Sequence, residues 1–272
     1  MKIYNSESYL PELSIVTVAK CEIKNVIDTC LSIKNNLTGF NFEHIIILHE
    51  TIEWDSSYFD FYCVDRLIIR SKDSGIYDAM NRGLVAARGR LVWFLNAGDL
   101  AVSTTKELIE KAKIDNQYNK VIVSGYTLNI NDRFEIVGQW PYLGNDGNIL
   151  LSNLVPHQAT FIPRILFSEI GLYDDLYKIH GDYDFWFRCI INNVKYTKYD
   201  LCGAQYRLGG ISGSSKFKTK SKKEYLSILY RNKIITKFNF FIGNALIFSD
   251  NAYRIYNNFI LKEKKSLFYL WK

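Results

Sequence analysis

The residues of this 272-residue chain best placed to do chemistry are carboxylates that stand where a buried element ends. The stretch RLVWFLNAGDL, residues 90–100, is apolar from Leu91 to Leu95 and then stops at Asn96-Ala97-Gly98-Asp99. A short apolar run bounded by turn formers is the pattern of a strand buried in a parallel sheet. Ligands of such sheets sit beyond the carboxyl ends of the strands, so Asp99 is expected to face a crevice. Its competing role is to cap the following helix, for which Ser103 is the better residue. A second pair, Asp182 and Asp184, opens DYDFWFRCII. Pattern alone leaves two roles open: capping and dipole stabilisation of that helix, or presentation of a proton acceptor to a cleft.

The elements that must position these groups alternate in type. Leu13–Val18 reads as a strand, and Ile23, Val26, Ile27, Cys30, Leu31 and Ile33 follow at near-helical spacing. HIIIL (44–48), RLIIR (66–70) and LVWFL (91–95) give three more short buried strands. Alternating strand and helix predicts an α/β domain whose mostly parallel sheet is covered by helices. SGIYDAMNRGL and the residues after it carry Ile76, Ala79, Met80, Leu84 and Ala87 on one helical face, with Ser74 as the expected N-cap. A hairpin is predicted across Asn131-Asp132, and a short helix after Pro163 ended by Gly171.

Composition bounds the function classes. An apolar content of 48% suits a globular chain, and no run approaches the roughly eighteen apolar residues of a membrane span. The start MKIYNSESYLPELS lacks the apolar centre of a signal peptide, so the protein is expected in the cytoplasm. Five scattered cysteines with no Cys-x-x-Cys pair argue for reduced core residues rather than a disulfide or zinc framework. Charge divides the chain: residues 1–213 hold 21 Lys and Arg against 25 Asp and Glu, and residues 214–272 hold 13 against 3. Two units are expected, a catalytic domain over 1–213 and a basic, aromatic, mainly helical extension over 214–272.

Taken in order, the strand TVAK, SGIYDAMNRGL, the strand ending FLNAGDL, VPHQATFIPRILFSEIGLYDD and GDYDFWFR resemble family 2 glycosyltransferases of the GT-A fold across roughly residues 12–213. The chain is most similar in pattern to non-processive bacterial enzymes that build O-antigen, capsule and related exopolysaccharides. The QxxRW signature of processive synthases is absent, and Gln205-Tyr206-Arg207-Leu208 imitates it only in part.

The resemblance implies a nucleotide-diphosphate sugar donor, UDP-linked, and transfer with inversion. Asp99 is then the metal residue for Mn2+ or Mg2+, which would offset the charge of the leaving diphosphate. The family's Asp-x-Asp is replaced here by Asn96, Ala97 and Gly98, a set that can still contact ribose or phosphate. Asp182 falls on the base position with Gly181 in place of the usual Glu. Asp184 lies about 200° further round a helix. Backbone groups of Thr17, Val18 and Ala19 are expected at the nucleotide base, with Asp73 the stronger and Asp78 the weaker acidic contact, and Glu50 or Asp55 as substitutes after the second strand. His157 is expected to line the sugar side, or to be a structural hydrogen bonder. Arg207 and the loop GGISGSS are expected to close over the diphosphate, or to be a linker.

The extension interleaves Lys and Arg with Phe, Tyr, Leu and Ile, as segments at an anionic membrane surface do. No nucleic-acid signature accompanies it. A peripheral position at the inner face of the cell membrane, beside a lipid-linked glycan acceptor, is the expectation; packing on the domain or an oligomer contact is the alternative. Two further classes stay open, a sugar nucleotidyltransferase and a nucleotide-sugar-binding protein with a degenerate metal site.

Overall fold

The computed structural model describes residues 10–20, 22–59, 66–117, 119–140, 155–209 and 217–263. Strands β1 (Leu13–Ala19), β2 (Phe42–His49), β3 (Arg66–Ser71) and β4 (Leu91–Phe94) are linked by helices α1 (Ile23–Asn36) and α2 (Ile76–Ala86). They form the parallel half of the sheet in the order β3-β2-β1-β4. Antiparallel β7 (Thr160–Pro163) continues from β4, followed by β5 (Val121–Ile130), which pairs antiparallel with β6 (Ile136–Trp140) and parallel with β8 (Lys195–Arg207). The sheet therefore carries a parallel nucleus and a mixed second half.

Alternation along each strand explains why both faces are covered. Val16, Val18, Ile45, Ile47, Val92 and Phe94 point into one core, while Leu13, Ile15, Ile46, Leu48, Leu91, Trp93 and Leu95 point into the other. The second core is closed by α1 and α3 (Thr105–Asp115). The first is closed by α2, α4 (Ile165–Glu169), α5 (Gly181–Ile191) and three C-terminal helices, α6 (Lys218–Arg231), α7 (Lys237–Leu246) and α8 (Asp250–Glu263). Tyr225, Leu226, Ile228 and Leu229 of α6 share that core with Phe185, Trp186 and Phe187 of α5. The change in charge near 213 is thus not a break between two cores: the basic extension is packed on the domain.

Glu43 joins the parallel strands to the loop that leads into β4. It is 5% exposed. Its carboxylate accepts from Ser14 Oγ at 2.6 Å, from the Arg88 N–H at 2.6 Å and from Arg88 Nε at 2.8 Å. Burial alone would push its pKa up, but these bonds and the Arg88 charge outweigh it and hold the carboxyl below its usual range. A depressed carboxylate stabilises the fold above the unfolded pKa of about 4.3, and that stability is lost as pH falls through the folded value. Glu43→Gln is expected to cost about 2 kcal/mol at neutral pH. Urea melts at neutral and acid pH check this, the difference from the parent protein shrinking as the pH falls.

Two expected helix caps are corrected. Ser74 does not cap α2: its own N–H donates to Asp78 Oδ2 at 2.8 Å, so Asp78 reaches back over the helix start. The start of α3 is fixed by Thr104 and Thr105, not Ser103. Their hydroxyls donate to the carbonyls of Cys202 and Gly203 in β8, and Thr105 Oγ1 accepts the Val102 N–H. At α2 a local residue one turn on, and at α3 two threonines tied to a distant strand, took the positions that sequence assigned to serines. The hairpin and the helix ended by Gly171 form where expected. Cys30, Cys189 and Cys202 are buried and unbridged.

Candidate active site

The loop after β4 turns because Gly98 adopts φ +100°, a left-handed conformation that an L side chain enters only with strain. Thr29 of α1 organises the turn from below. Its hydroxyl donates to the Asp99 carbonyl at 2.8 Å and accepts the Gly98 N–H at 2.9 Å. Leu100 then pairs with Gln205 of β8, which brings Asp99 against the end of that strand.

Asp99 is 4% exposed. Its Oδ1 accepts the backbone N–H of Arg207 at 3.0 Å, so it is not the cap of α3. Burial pushes its pKa up to about 7, against the Arg207 bond and the nearby charges of His157 and Arg207. The Arg207 side chain is itself engaged. It donates to Asn25 Oδ1 at 2.7 Å and to Asp28 Oδ2 at 3.2 Å, and its guanidinium lies 4.5 Å from the Phe134 ring centroid. Its Nε is buried without a partner among the described residues.

A second group of residues meets the loop after β4 at Asn96. His157 begins a short 3-10 turn, His157–Ala159, tied to β4 by Trp93 Nε1 donating to the Gln158 carbonyl at 2.7 Å. His157 Nδ1 lies 3.4 Å from Asp182 Oδ2, and its Nε2 lies 3.2 Å from Asn96 Nδ2. With Nδ1–H directed at the carboxylate, Nε2 accepts from the Asn96 amide. Asn96 Oδ1 is then left as a buried acceptor without a partner among the described residues.

Asp182 is the second residue of α5, inside the first turn and not its cap. The single Tyr77 hydroxyl proton of α2 is shared between Asp182 Oδ1 at 2.8 Å and the Ile179 carbonyl at 2.9 Å. Burial would raise the Asp182 pKa, but the His157 bond and charge, the His180 charge and the Tyr77 hydroxyl hold it below its usual value. Gly181 is required beside it: a Cβ there would stand 2.7 Å from the Tyr77 ring. Gly181 is therefore the seat for the tyrosine that bonds to Asp182.

Asp184 has other partners. It accepts from Arg188 Nε at 2.8 Å and Asn232 Nδ2 at 3.0 Å, while Arg188 also binds the carbonyls of Ile170, Gly171 and Leu172. These bonds tie α5 to its surroundings, and the structure does not bring Asp184 to the Asn96–His157–Asp182 chain.

The nucleotide-side residues are more dispersed. Thr17 Oγ1 is taken by the Leu95 carbonyl and His44, and the Val18 carbonyl accepts the Ala97 N–H, so both serve the sheet end. Ala19 closes β1 beside them. Asp78 is held by Arg82 and Ser74. Asp73 is half-buried between β3 and α2, Glu50 is exposed after β2, and Asp55 binds the Ser57 N–H. The GGISGSS loop beyond Gly209 lies outside the described residues.

Sequence reading missed Tyr77, Asn81, Trp93, Asn25 and Asp28. Tyr77 and Asn81 share a face of α2 at i and i+4, and Asn81 exchanges two bonds with the backbone of Tyr173. That spacing of polar residues within SGIYDAMN was the available signal.

The residues present offer a divalent cation two oxygen donors. One carboxylate, Asp99, and one unpartnered amide oxygen, Asn96 Oδ1, are hard oxygen donors of the kind that share magnesium or manganese with substrate phosphates. Among the described residues no group of three or more His, Cys, Asp and Glu side chains is assembled as a closed metal cage.

No family profile matches the chain. The fold is shared with solved glycosyltransferases. Staphylococcus aureus TarS superposes with a TM-score of 0.60 at 12% identity, covering 88% of this chain and 44% of TarS. A mannosyltransferase from Pyrobaculum calidifontis, solved with GDP-Man and Mn2+, superposes at 0.62 and 10% identity, covering 96% of this chain and 75% of its own. A Mycobacterium tuberculosis protein named an uncharacterised glycosyltransferase is 25% identical over 192 residues, 66% of this chain and 70% of that protein. A PGL/p-HBAD biosynthesis glycosyltransferase of Mycobacterium bovis is 30% identical over 211 residues, which is 75% of this chain and 80% of the relative. With this identity over four fifths of a named enzyme, the chain belongs to the glycosyltransferases.

Proposed function

We propose that this site transfers a sugar from a nucleotide-diphosphate donor, a UDP-sugar, to a hydroxyl of a lipid-linked glycan acceptor with inversion at the anomeric carbon, as a family 2 enzyme of cell-surface polysaccharide synthesis. The observation that carries the reading is the chain Asp182–His157–Asn96 ending at the Asp99 turn. It joins a carboxylate able to accept a proton to a carboxylate able to face a diphosphate. TarS solved with UDP-GlcNAc, and the mannosyltransferase with GDP-Man, support the donor class.

Asp182 takes the proton of the acceptor hydroxyl as that oxygen attacks the anomeric carbon. A single displacement by this oxygen, opposite the leaving diphosphate, inverts the configuration. His157 and Tyr77 fix the carboxylate in one orientation, so its lone pair is aimed before the acceptor arrives. Asp99 and Asn96 Oδ1 would hold a divalent cation, whose chemistry when bound is Lewis-acid neutralisation of the leaving diphosphate. A thermal-shift screen of UDP, GDP and their sugars with and without manganese tests the donor class, since a ligand of the native state raises its stability. Proton NMR of the first-formed product tests inversion. A screen in which no nucleotide shifts the melt, with or without manganese, would remove the reading.

The acceptor side of the proposal rests on the C-terminal helices. No helix among the described residues is long and apolar enough to cross a membrane. The outward residues Phe238 and Phe241 of α7, Phe248 after it, and Ile255 and Phe259 of α8 are 56–81% exposed, in a segment with 13 Lys and Arg against 3 Asp and Glu. Exposed aromatics among cations suit an anionic lipid surface, each basic residue adding about 1 kcal/mol there. The intact enzyme is expected to cosediment with anionic liposomes at low salt, and weakly at high salt or with neutral lipid. Replacing Phe238, Phe241 and Phe248 by Ser reduces binding without unfolding, because these side chains lie outside the core.

A further inference from the structure

We propose that Glu224, in the basic C-terminal segment, is a positioning residue for the transfer reaction: its carboxylate holds the loop from which Asp182 is presented. This inference rests on the reading of Asp182 as the base. Helix α5 begins at Gly181, and its N-cap residue His180 makes no side-chain capping bond. The carboxylate comes instead from α6. Glu224 Oε1 accepts the Lys178 N–H at 3.0 Å, and Oε2 accepts the N–H groups of Lys178 at 3.2 Å, Ile179 at 2.8 Å and His180 at 3.3 Å. One side chain thus gathers three consecutive backbone donors, an arrangement that specifies the path of the loop and not merely its burial.

The same loop is gripped from its other side. Tyr77 shares its hydroxyl proton between the Ile179 carbonyl and Asp182 Oδ1. The His180 ring meets Ser221 Oγ at 2.7 Å, one turn before Glu224 on α6, and stacks on Tyr183 at a centroid distance of 4.9 Å. The His180 carbonyl accepts the Asp184 N–H at 3.1 Å, the bond that opens α5. A shift of residues 178–180 therefore moves the first turn of α5, and Asp182 with it. Further along, Arg231 binds Asp174 and Tyr177, and Asn232 binds Asp184. The segment 174–184 is docked along α6, with Glu224 holding residues 178–180.

Glu224 is also one of only 3 acidic residues among the 59 from 214 to 272, where 13 are basic. A purely solvated basic face has no use for a carboxylate turned inward onto backbone N–H groups. Displacing a reacting group by about 1 Å can cost on the order of a hundredfold in rate without altering substrate affinity. Loss of Glu224 is expected to follow that pattern, because its bonds are to the base loop and not to Asn96 or Asp99.

The test is a cycle of Glu224→Gln, Asp182→Asn and the double variant in the full-length protein. Turnover is read as nucleoside diphosphate released from whichever of a panel of UDP- and GDP-sugars the parent hydrolyses fastest. Glu224→Gln is expected to lower kcat about tenfold or more, with the donor KM and the affinity for UDP unchanged, and to add nothing in the Asp182→Asn background. Ser221→Ala, which releases only the His180 ring, keeps the test open if Glu224→Gln melts too low, and should show the same split on a smaller scale. A folded Glu224→Gln protein with parental kcat overturns the proposal, as does a further loss in the Asp182→Asn background equal to that in the parent. Parental turnover in Asp182→Asn alone removes the base assignment first, and so distinguishes that failure from failure of the positioning role.

Discussion

Asp182→Asn is expected to lower turnover by about a hundredfold or more while the affinity for the nucleotide changes little. Asparagine keeps the shape of the side chain and can still accept from Tyr77 through its amide oxygen, so the loop should stay in place. What it loses is the ability to take a proton. The carboxyl is held below its usual pKa by His157, His180 and Tyr77 acting against burial. It is therefore ionised and ready as an acceptor throughout the neutral range, and an acid loss of activity near pH 6 would arise from another group. Steady-state rates on the hydrolysed donor, with UDP affinity by calorimetry, check both halves. Asp184→Asn should instead cost stability, through the bonds to Arg188 and Asn232, with a much smaller change in kcat. If Asp184→Asn proves the crippling change and Asp182→Asn the mild one, the catalytic assignment fails.

The second large effect concerns Asp99. Asp99→Ala should abolish the manganese-dependent part of UDP binding and leave the fold intact. Its carboxylate accepts the Arg207 N–H, while the turn itself keeps its bonds to Thr29. The metal-free protein should also show the cost of burying this group. Its folded pKa is raised to about 7 from an unfolded value of about 3.9, so the native state keeps a proton that the unfolded chain has released. Stability of the chelator-treated enzyme is then expected to fall as pH rises from about 4 to about 7, and Asp99→Ala should flatten that slope. Melting temperatures across this range, with and without EDTA, read the effect. An Asp99→Ala protein that binds UDP with manganese as well as the parent does would end the assignment.

Some of this was written in local sequence. The apolar run Leu91–Leu95, buried on both sides, and the turn formers behind it were enough to put Asp99 at a strand end, because strand burial is a property of neighbouring residues. The same holds for the alternation of strand and helix over the first hundred residues, and for the short helix ended by Gly171. Resemblance then supplied Asp182. Asp184 was a candidate beside it by position alone, and the roughly 200° step around a helix already separated the two.

Other features have no local signature. Tyr77 reaches Asp182 across 105 positions, Arg207 reaches Asn25 across 182, and Glu224 reaches Lys178 across 46. Nothing in the residues near either partner marks such a pair, since the meeting point is set by strand order and by how the helices lie over the sheet. The cap expected from Ser103 failed for the same reason, since Thr104 and Thr105 are held by the β8 carbonyls, whereas Ser74 gave way to a local residue, Asp78, one turn on. The charge step at 213 was real, yet charge is a property of surface and carries no information on which apolar faces share a core. Local sequence determined which residues stand at the ends of buried elements, because burial repeats at the period of each element. Only the tertiary structure decided which of those ends meet, because hydrogen bonds between distant segments form where packing of the two cores happens to bring their donors and acceptors within about 3 Å.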